Sequence, residues 1–295
     1  MLKPKVIVIL GQTTTGKSDL AVEIAKKIGG EVISADSRQV YKGLDLGTGK
    51  ITKKEMRGIP HFLLDVADPK RKFSVAQYKK LADQKIIEII KRGNVPIICG
   101  GTGFYIDAIT NGIIFPEVPP NSKLRKILEK KATVELFKIL KKLDSARAKK
   151  IDKKNKVRLI RAIEIAKALG KVPKTTEVMP PYKFIKIGLC LPTEILKEKI
   201  KIRLEKRLKV GMLKEIKDLH KKNLSWKRMQ ELGLEYRYLS LYLQSKINKS
   251  VMIDKLNSEI YHYAKRQMTW FKRDKDILWL NATNKKILSN LLEGF

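Results

Sequence analysis

Over the first hundred residues, short apolar runs alternate with segments whose apolar positions recur at helical spacing. Lys5–Leu10 (KVIVIL), Gly30–Asp36 (GEVISAD) and Val95–Gly101 (VPIICGG) have the length and continuity of buried strands. Lys17–Ile28 (KSDLAVEIAKKI) and Val75–Gly93 (VAQYKKLADQKIIEIIKRG) read as helices. This strand–helix–strand rhythm predicts a parallel sheet with helices on its faces, a three-layer α/β core. The texture changes where Pro116, Pro119 and Pro120 punctuate the chain, and a helix-rich, strongly basic segment runs from about Ser122 to Leu169. Pro180–Leu191 (PPYKFIKIGLCL) then returns as a strand. Long helices follow over Thr193–Lys222 and Ser250–Arg273, before a short strand at Asp276–Leu280 and a terminal helix. The expected organisation is a core first part at 1–115, an inserted helical subdomain at 116–180, and the rest of the core with its long C-terminal helices at 181–295.

Charge changes the picture most. Lys and Arg total 64 against 30 Asp and Glu, a formal net charge of +34, well beyond what solubility requires. A polyanionic partner such as nucleic acid explains the excess, although lysine scattered over solvated faces is the plainer alternative. Cys99 and Cys190 each lie in an apolar run and read as small buried hydrophobes rather than a disulfide or metal pair. That fits a reducing cytoplasm. No apolar stretch reaches 18 residues, so a soluble, cytoplasmic chain without membrane association is expected, and three histidines make a zinc site improbable.

The candidate chemistry begins between the first strand and the first helix. Gly11, Gly16, Lys17 and Ser18 satisfy G-x-x-x-x-G-K-[ST] in the strand-to-helix setting that this phosphate loop (P-loop) requires. Backbone N–H groups and the helix N-terminus would cradle an anion. Lys17 would reach its terminal phosphates, and the Ser18 hydroxyl is suited to a Mg²⁺ bridging phosphate oxygens. Strand two delivers Asp36 and Ser37 beside this loop; strand three brings Gly100, Gly101 and the hydroxyl of Thr102, but no acidic residue. Asp36 is therefore expected either to serve the metal or to act as a base on an incoming nucleophile, unless it only caps the turn.

Several further motifs together resemble the tRNA dimethylallyltransferases. They are DSRQVYKGLDLGTGK (Asp36–Lys50), PHFLLDVADP (Pro60–Pro69) with Phe73-Ser74, GGTGFY (Gly100–Tyr105), NKVRLIRAIE (Asn155–Glu164), IRLEKRL (Ile202–Leu208) and YAKRQMTWFKR (Tyr263–Arg273). They span nearly the whole chain. The resemblance implies transfer of a dimethylallyl group from dimethylallyl diphosphate to N6 of the adenosine 3′ of the anticodon. On that reading Gly11, Thr13, Thr14, Thr15, Gly16, Lys17 and Ser18 hold the diphosphate, with Mg²⁺ at Ser18. The resemblance also gives Asp36 the role of base and places Thr102 against the adenine or the diphosphate. A family arginine that neutralises the leaving group maps to Arg207, with Arg203 as second choice. For the anticodon stem-loop it implies Asp36, Ser37, Arg38, Gln39 and Thr102 around the flipped base. Arg125, Arg158 and Arg161 on the insertion, and Lys265, Arg266 and Gln267, are expected as the clamp. A monomer is the default for such a clamp.

The chain departs from the family pattern at Gln12 and Thr14, where Pro and Ala are usual, at IDKKNKVR (Ile151–Arg158), and at LGLEYRYL (Leu232–Leu239). Two other classes share the loop. A small-molecule kinase binding ATP there is the first alternative, and a nucleic-acid-dependent ATPase the second.

Overall fold

The computed structural model describes residues 3–174, 176–284 and 290. Among these residues a six-stranded sheet is built from β1 (Lys5–Gly11), β2 (Gly30–Ser34), β3 (His61–Phe62), β4 (Val95–Gly100), β7 (Lys183–Cys190) and β8 (Ile277–Asn281). Their order is β3-β2-β4-β1-β7-β8, and every neighbouring pair is parallel. The remaining strands, β5 (Ile113–Ile114) and β6 (Thr176–Glu177), pair antiparallel with each other.

Alternation along β1 explains the layering. Val6, Val8 and Leu10 face a core shared with Tyr78, Ile86 and Ile89 of the helix Val75–Lys91 and with Leu196, Ile200, Leu204 and Leu256 of later helices. Ile7 and Ile9 face the opposite way, against Leu20, Ala21 and Ile24 of the helix Lys17–Ile28. The sheet thus has helices on both faces, as expected for the α/β core. Because all six strands run the same way, β1, β2 and β4 end together, with Leu10 beside Gly100 and Ser34 beside Cys99.

Among the described residues the chain falls into two compact units. One runs up to Gly112 and resumes at Met179; the other is Ile113–Val178. The second unit begins and ends slightly before the expected 116 and 180, because the β5–β6 pairing makes Ile113 and Glu177 partners. It contains the helices Ser122–Leu128, Thr133–Leu143, Ser145–Lys150 and Lys156–Leu169, with Leu136, Leu140, Leu159 and Ile163 fully buried in its own core.

Two expectations need correction. The pattern read through Thr193–Lys222 breaks into Thr193–Val210 and Met212–Lys221, because Gly211 takes φ 120° between them. The strand read as Gly30–Asp36 ends at Ser34, and this frees Asp36 to start a turn. The terminal helix lies outside the described residues.

Candidate active site

The strand ends converge on a cavity of about 720 Å³ lined by the phosphate loop, the turn after β2 and the end of β4. The helix Lys17–Ile28 starts immediately after Gly16, so its first N–H groups lie at the loop. Lys17 is half-buried, and its ammonium donates back to the Gln12 carbonyl. Desolvation lowers its pKa to about 8, and the nearby Arg203 adds to the lowering, whereas Asp36 raises it. Such a lysine lacks a strong counter-charge, and an incoming diphosphate supplies one. Thr14 sits at φ 65°, a left-handed conformation uncommon for a β-branched residue and a form of strain that clusters at ligand sites.

Asp36 lines the same cavity. Its Oδ1 accepts the N–H groups of Arg38 (2.8 Å) and Gln39 (3.3 Å), which fixes the turn and the carboxylate with it. The cap reading and the chemical reading are therefore compatible. Ser37, Arg38 and Gln39 also line the cavity. Thr102 has a different place. Its Oγ1 accepts the Ser37 N–H at 3.0 Å, and its own N–H donates to the Ala35 carbonyl at 3.1 Å. Thr102 thus ties the Asp36–Ser37 turn to the end of β4.

The loop-facing arginine is Arg203, not Arg207. Arg203 Nη1 donates to Thr13 Oγ1 at 3.3 Å and Nη2 to the Gly49 carbonyl at 3.2 Å. Arg207, one turn later, donates to the carbonyls of Leu46 and Gly47 and pairs with Glu235 at 3.4 Å. Gly49 is what admits Arg203: at φ 61°, a Cβ there would meet Nη2 at 2.1 Å. Burial, then Arg207, lowers the Arg203 pKa from its usual value.

The comparisons with known proteins place the chain in a family. A family model described as IPP transferase matches residues 39–274. The chain belongs to the IPP transferase family. Among similar relatives, a tRNA dimethylallyltransferase 2 of Treponema denticola is 43% identical over 272 residues, covering 90% of this chain and 91% of its own. A tRNA dimethylallyltransferase of Staphylococcus carnosus is 40% identical over 298 residues, covering 97% and 93%. The full-length tRNA isopentenylpyrophosphate transferase of Bacillus halodurans superposes with a TM-score of 0.75 at 34% identity, over 99% of this chain and 95% of that one. A eukaryotic dimethylallyltransferase acting on tRNA superposes with a TM-score of 0.82 at 27% identity, over 95% of this chain and 74% of its own.

In this member of the IPP transferase family, several residues expected to touch ligand also make bonds that hold the site together. The Thr15 hydroxyl turns inward to the Gln12 carbonyl at 2.8 Å, and Thr15 is only 3% exposed. Gln267 is a strap: its Oε1 accepts the Thr13 N–H and its Nε2 donates to the Gly101 carbonyl, both at 2.9 Å. Its amide spans the phosphate loop and the end of β4, and Gln267 also lines the cavity. Within the second unit, Arg125 makes a two-point ion pair with buried Glu164 (2.7 and 2.6 Å), and Arg161 reaches Glu164 (3.4 Å) and the Val118 carbonyl (2.8 Å). Both guanidiniums are engaged internally, whereas Arg158 is exposed. Arg266 lines the cavity and stacks over Tyr263 at 6.0 Å; Lys265 stands over Tyr261 at 5.8 Å and faces a different cleft. Tyr263, not among the expected contacts, lines the cavity one helical turn before Gln267; its signals in the sequence were that i,i+4 spacing and its place at the head of the Tyr263–Arg273 motif.

The donor set also fits a hard divalent metal ion. Such an ion takes one or two protein oxygens and completes its shell with phosphate and water. Ser18, on the cavity wall in the first helical turn, offers that oxygen, and Asp19 lies beside it on the same wall. Cys99 is buried with its thiol pushed up to about 12 by burial, and Cys190 is half-buried; both are free thiols, so neither forms a disulfide. Among the described residues no helix is long and apolar enough to cross a membrane.

Proposed function

We propose that this chain transfers the dimethylallyl group of dimethylallyl diphosphate to N6 of the adenosine immediately 3′ of a tRNA anticodon, releasing diphosphate. One observation carries the reading: an anion cradle with a desolvated, undercompensated lysine and a fixed carboxylate line the same cavity. In the reaction the bond from the allylic carbon to the diphosphate oxygen breaks and its electron pair leaves with the diphosphate. The N6 lone pair forms the new carbon–nitrogen bond, and the N6 proton passes to Asp36. Lys17, Arg203, the loop N–H groups and the Thr13 region receive the charge that grows on the leaving group. Magnesium held at Ser18 would neutralise part of that charge.

The base must leave its stack to reach the allylic carbon, so the adenosine enters flipped out. Ser37, Arg38 and Gln39 beside Asp36 are the contacts we assign to it, with Arg266 and exposed Arg158 among the RNA-facing cations. Thr102 acts through Ser37 as a positioning residue, and Gln267 likewise through the loop. The Ile113–Val178 unit is assigned to the anticodon stem. We place the enzyme in the cytoplasm, as a monomer, with magnesium as its metal.

The test is stoichiometric. Inorganic diphosphate should be released from dimethylallyl diphosphate only when an anticodon stem-loop with adenosine 3′ of the anticodon is present. Release without RNA, or turnover of ATP in its place, would sink the proposal.

A further inference from the structure

A turn of chain, Asp45–Gly49, is gripped from both of its polar sides by half-buried charge. The Glu215 carboxylate, on the helix Met212–Lys221, accepts the N–H groups of Asp45 (3.2 Å), Leu46 (2.6 Å) and Gly47 (3.0 Å), and the phenol of Tyr236 (2.7 Å). An ionised carboxylate offers about four lone-pair sites, and these donors answer all of them. The carbonyl groups of the same turn face cations: Leu46 and Gly47 accept from Arg207, and Gly49 accepts from Arg203 at 3.2 Å. The Tyr236 ring also packs where a Cβ on Gly47 would stand, at 2.4 Å. Tyr236 is 1% exposed, and its phenol stays protonated because burial and Glu215 raise its pKa.

The consequence reaches the cavity through Arg203. Its guanidinium hangs between the Gly49 carbonyl and the Thr13 hydroxyl, so the height of Gly49 sets where the positive charge sits over the phosphate loop. Arg203 and Arg207 lie one helical turn apart and repel each other, so neither side chain is held in place by its neighbour. The carbonyls of the turn hold them instead. We infer that Glu215, with Tyr236 as its hydrogen-bond donor, is a positioning residue for diphosphate binding: it presets the Asp45–Gly49 turn, and the turn aims Arg203. Glu215 touches neither the phosphate loop nor the target base. The inference rests on the transferase reading for its chemistry, but its binding test does not depend on RNA.

Glu215→Gln tests it, because the amide keeps the shape and replaces an acceptor oxygen with an NH₂ group facing other donors. The dissociation constant of inorganic diphosphate with magnesium is measured by calorimetry, and transfer by steady-state kinetics. We expect diphosphate affinity to fall about tenfold, a change set by loss of one charge-assisted contact, with transfer kcat reduced and the KM for RNA unchanged. Glu215→Asp, which keeps the charge, should recover part of the loss. Tyr236→Phe removes one hydroxyl and leaves the three backbone bonds; it serves if Glu215→Gln does not fold, with an expected fall in diphosphate affinity of about threefold. Unchanged diphosphate affinity in the folded variant overturns the inference. So does a parallel loss of diphosphate and RNA binding, since that marks a merely structural residue. Wild-type protein that binds diphosphate but transfers no prenyl group would defeat the transferase reading alone, leaving the diphosphate comparison to decide this one.

Discussion

Lys17 carries a pH signature that an ordinary surface lysine would lack. Its pKa of about 8 means that the ammonium is intact below that pH and lost as pH rises through it. Diphosphate binding favours the charged form, so affinity should hold steady up to about pH 8 and decline above it. Lys17→Ala, measured alongside by calorimetry, should bind weakly and without that decline, which separates the lysine from titration of the diphosphate itself. The two arginines make a second contrast. Arg203→Ala should lower kcat about 100- to 1000-fold, as expected on removing a donor aimed at developing charge. Arg207→Ala should mainly lower the unfolding temperature, by removing donors to the Leu46 and Gly47 carbonyls, a loss of about 1–3 kcal/mol. Sequence alone could not separate them, because positions four apart share a helix face and the choice lies with the carbonyl of Gly49, far away in the chain. Lys17 and Asp36 were legible because each depends on local chain: a loop motif in one case, a turn directly after a strand in the other.

Strands with continuous apolar runs, such as Lys5–Gly11 and Val95–Gly100, were readable because burial on both faces demands apolar residues at every position. The two-residue strands His61–Phe62, Ile113–Ile114 and Thr176–Glu177 were not, since two residues carry no period. The break at Gly211 was hidden by the helix formers on both sides of it. The helices of the second unit illustrate a different limit. Their basic composition suggested free cations, yet Glu164, with its side chain 1% exposed, claims two of them. Burial pushes the Glu164 carboxyl up, but the Arg125 bond, the Asn121 N–H and Arg161 outweigh it and hold the pKa below its usual value. A group depressed in the folded state stabilises above its unfolded pKa, and that contribution fades as pH falls through the carboxylate range. Glu164→Gln should cost about 2–3 kcal/mol, less than a fully buried pair because Arg125 keeps access to water. Thermal unfolding at neutral and acidic pH checks this: the gap between wild type and variant should narrow in acid.

The net charge of +34 belongs to the molecule as a whole, and a salt titration of RNA binding reads how much of it meets phosphate. Each phosphate contact contributes roughly 0.7–0.9 to the slope of log affinity against log salt. Arg158→Ala should reduce that slope by about one contact, whereas Arg125→Ala should leave the slope and lower stability, as their surroundings dictate. The opposite pattern would return Arg125 to the RNA-facing set. The central claim, however, concerns chemistry. The decisive measurement is to incubate the protein and Mg²⁺ with isotopically labelled dimethylallyl diphosphate and an anticodon stem-loop bearing adenosine 3′ of the anticodon, and then to weigh the RNA nucleosides. The account predicts one adenosine heavier by a labelled C₅H₈ unit on N6, and none with Asp36→Ala although that variant still binds diphosphate and RNA. Unmodified nucleosides from wild type on a well-folded RNA, or full transfer by Asp36→Ala, would contradict it.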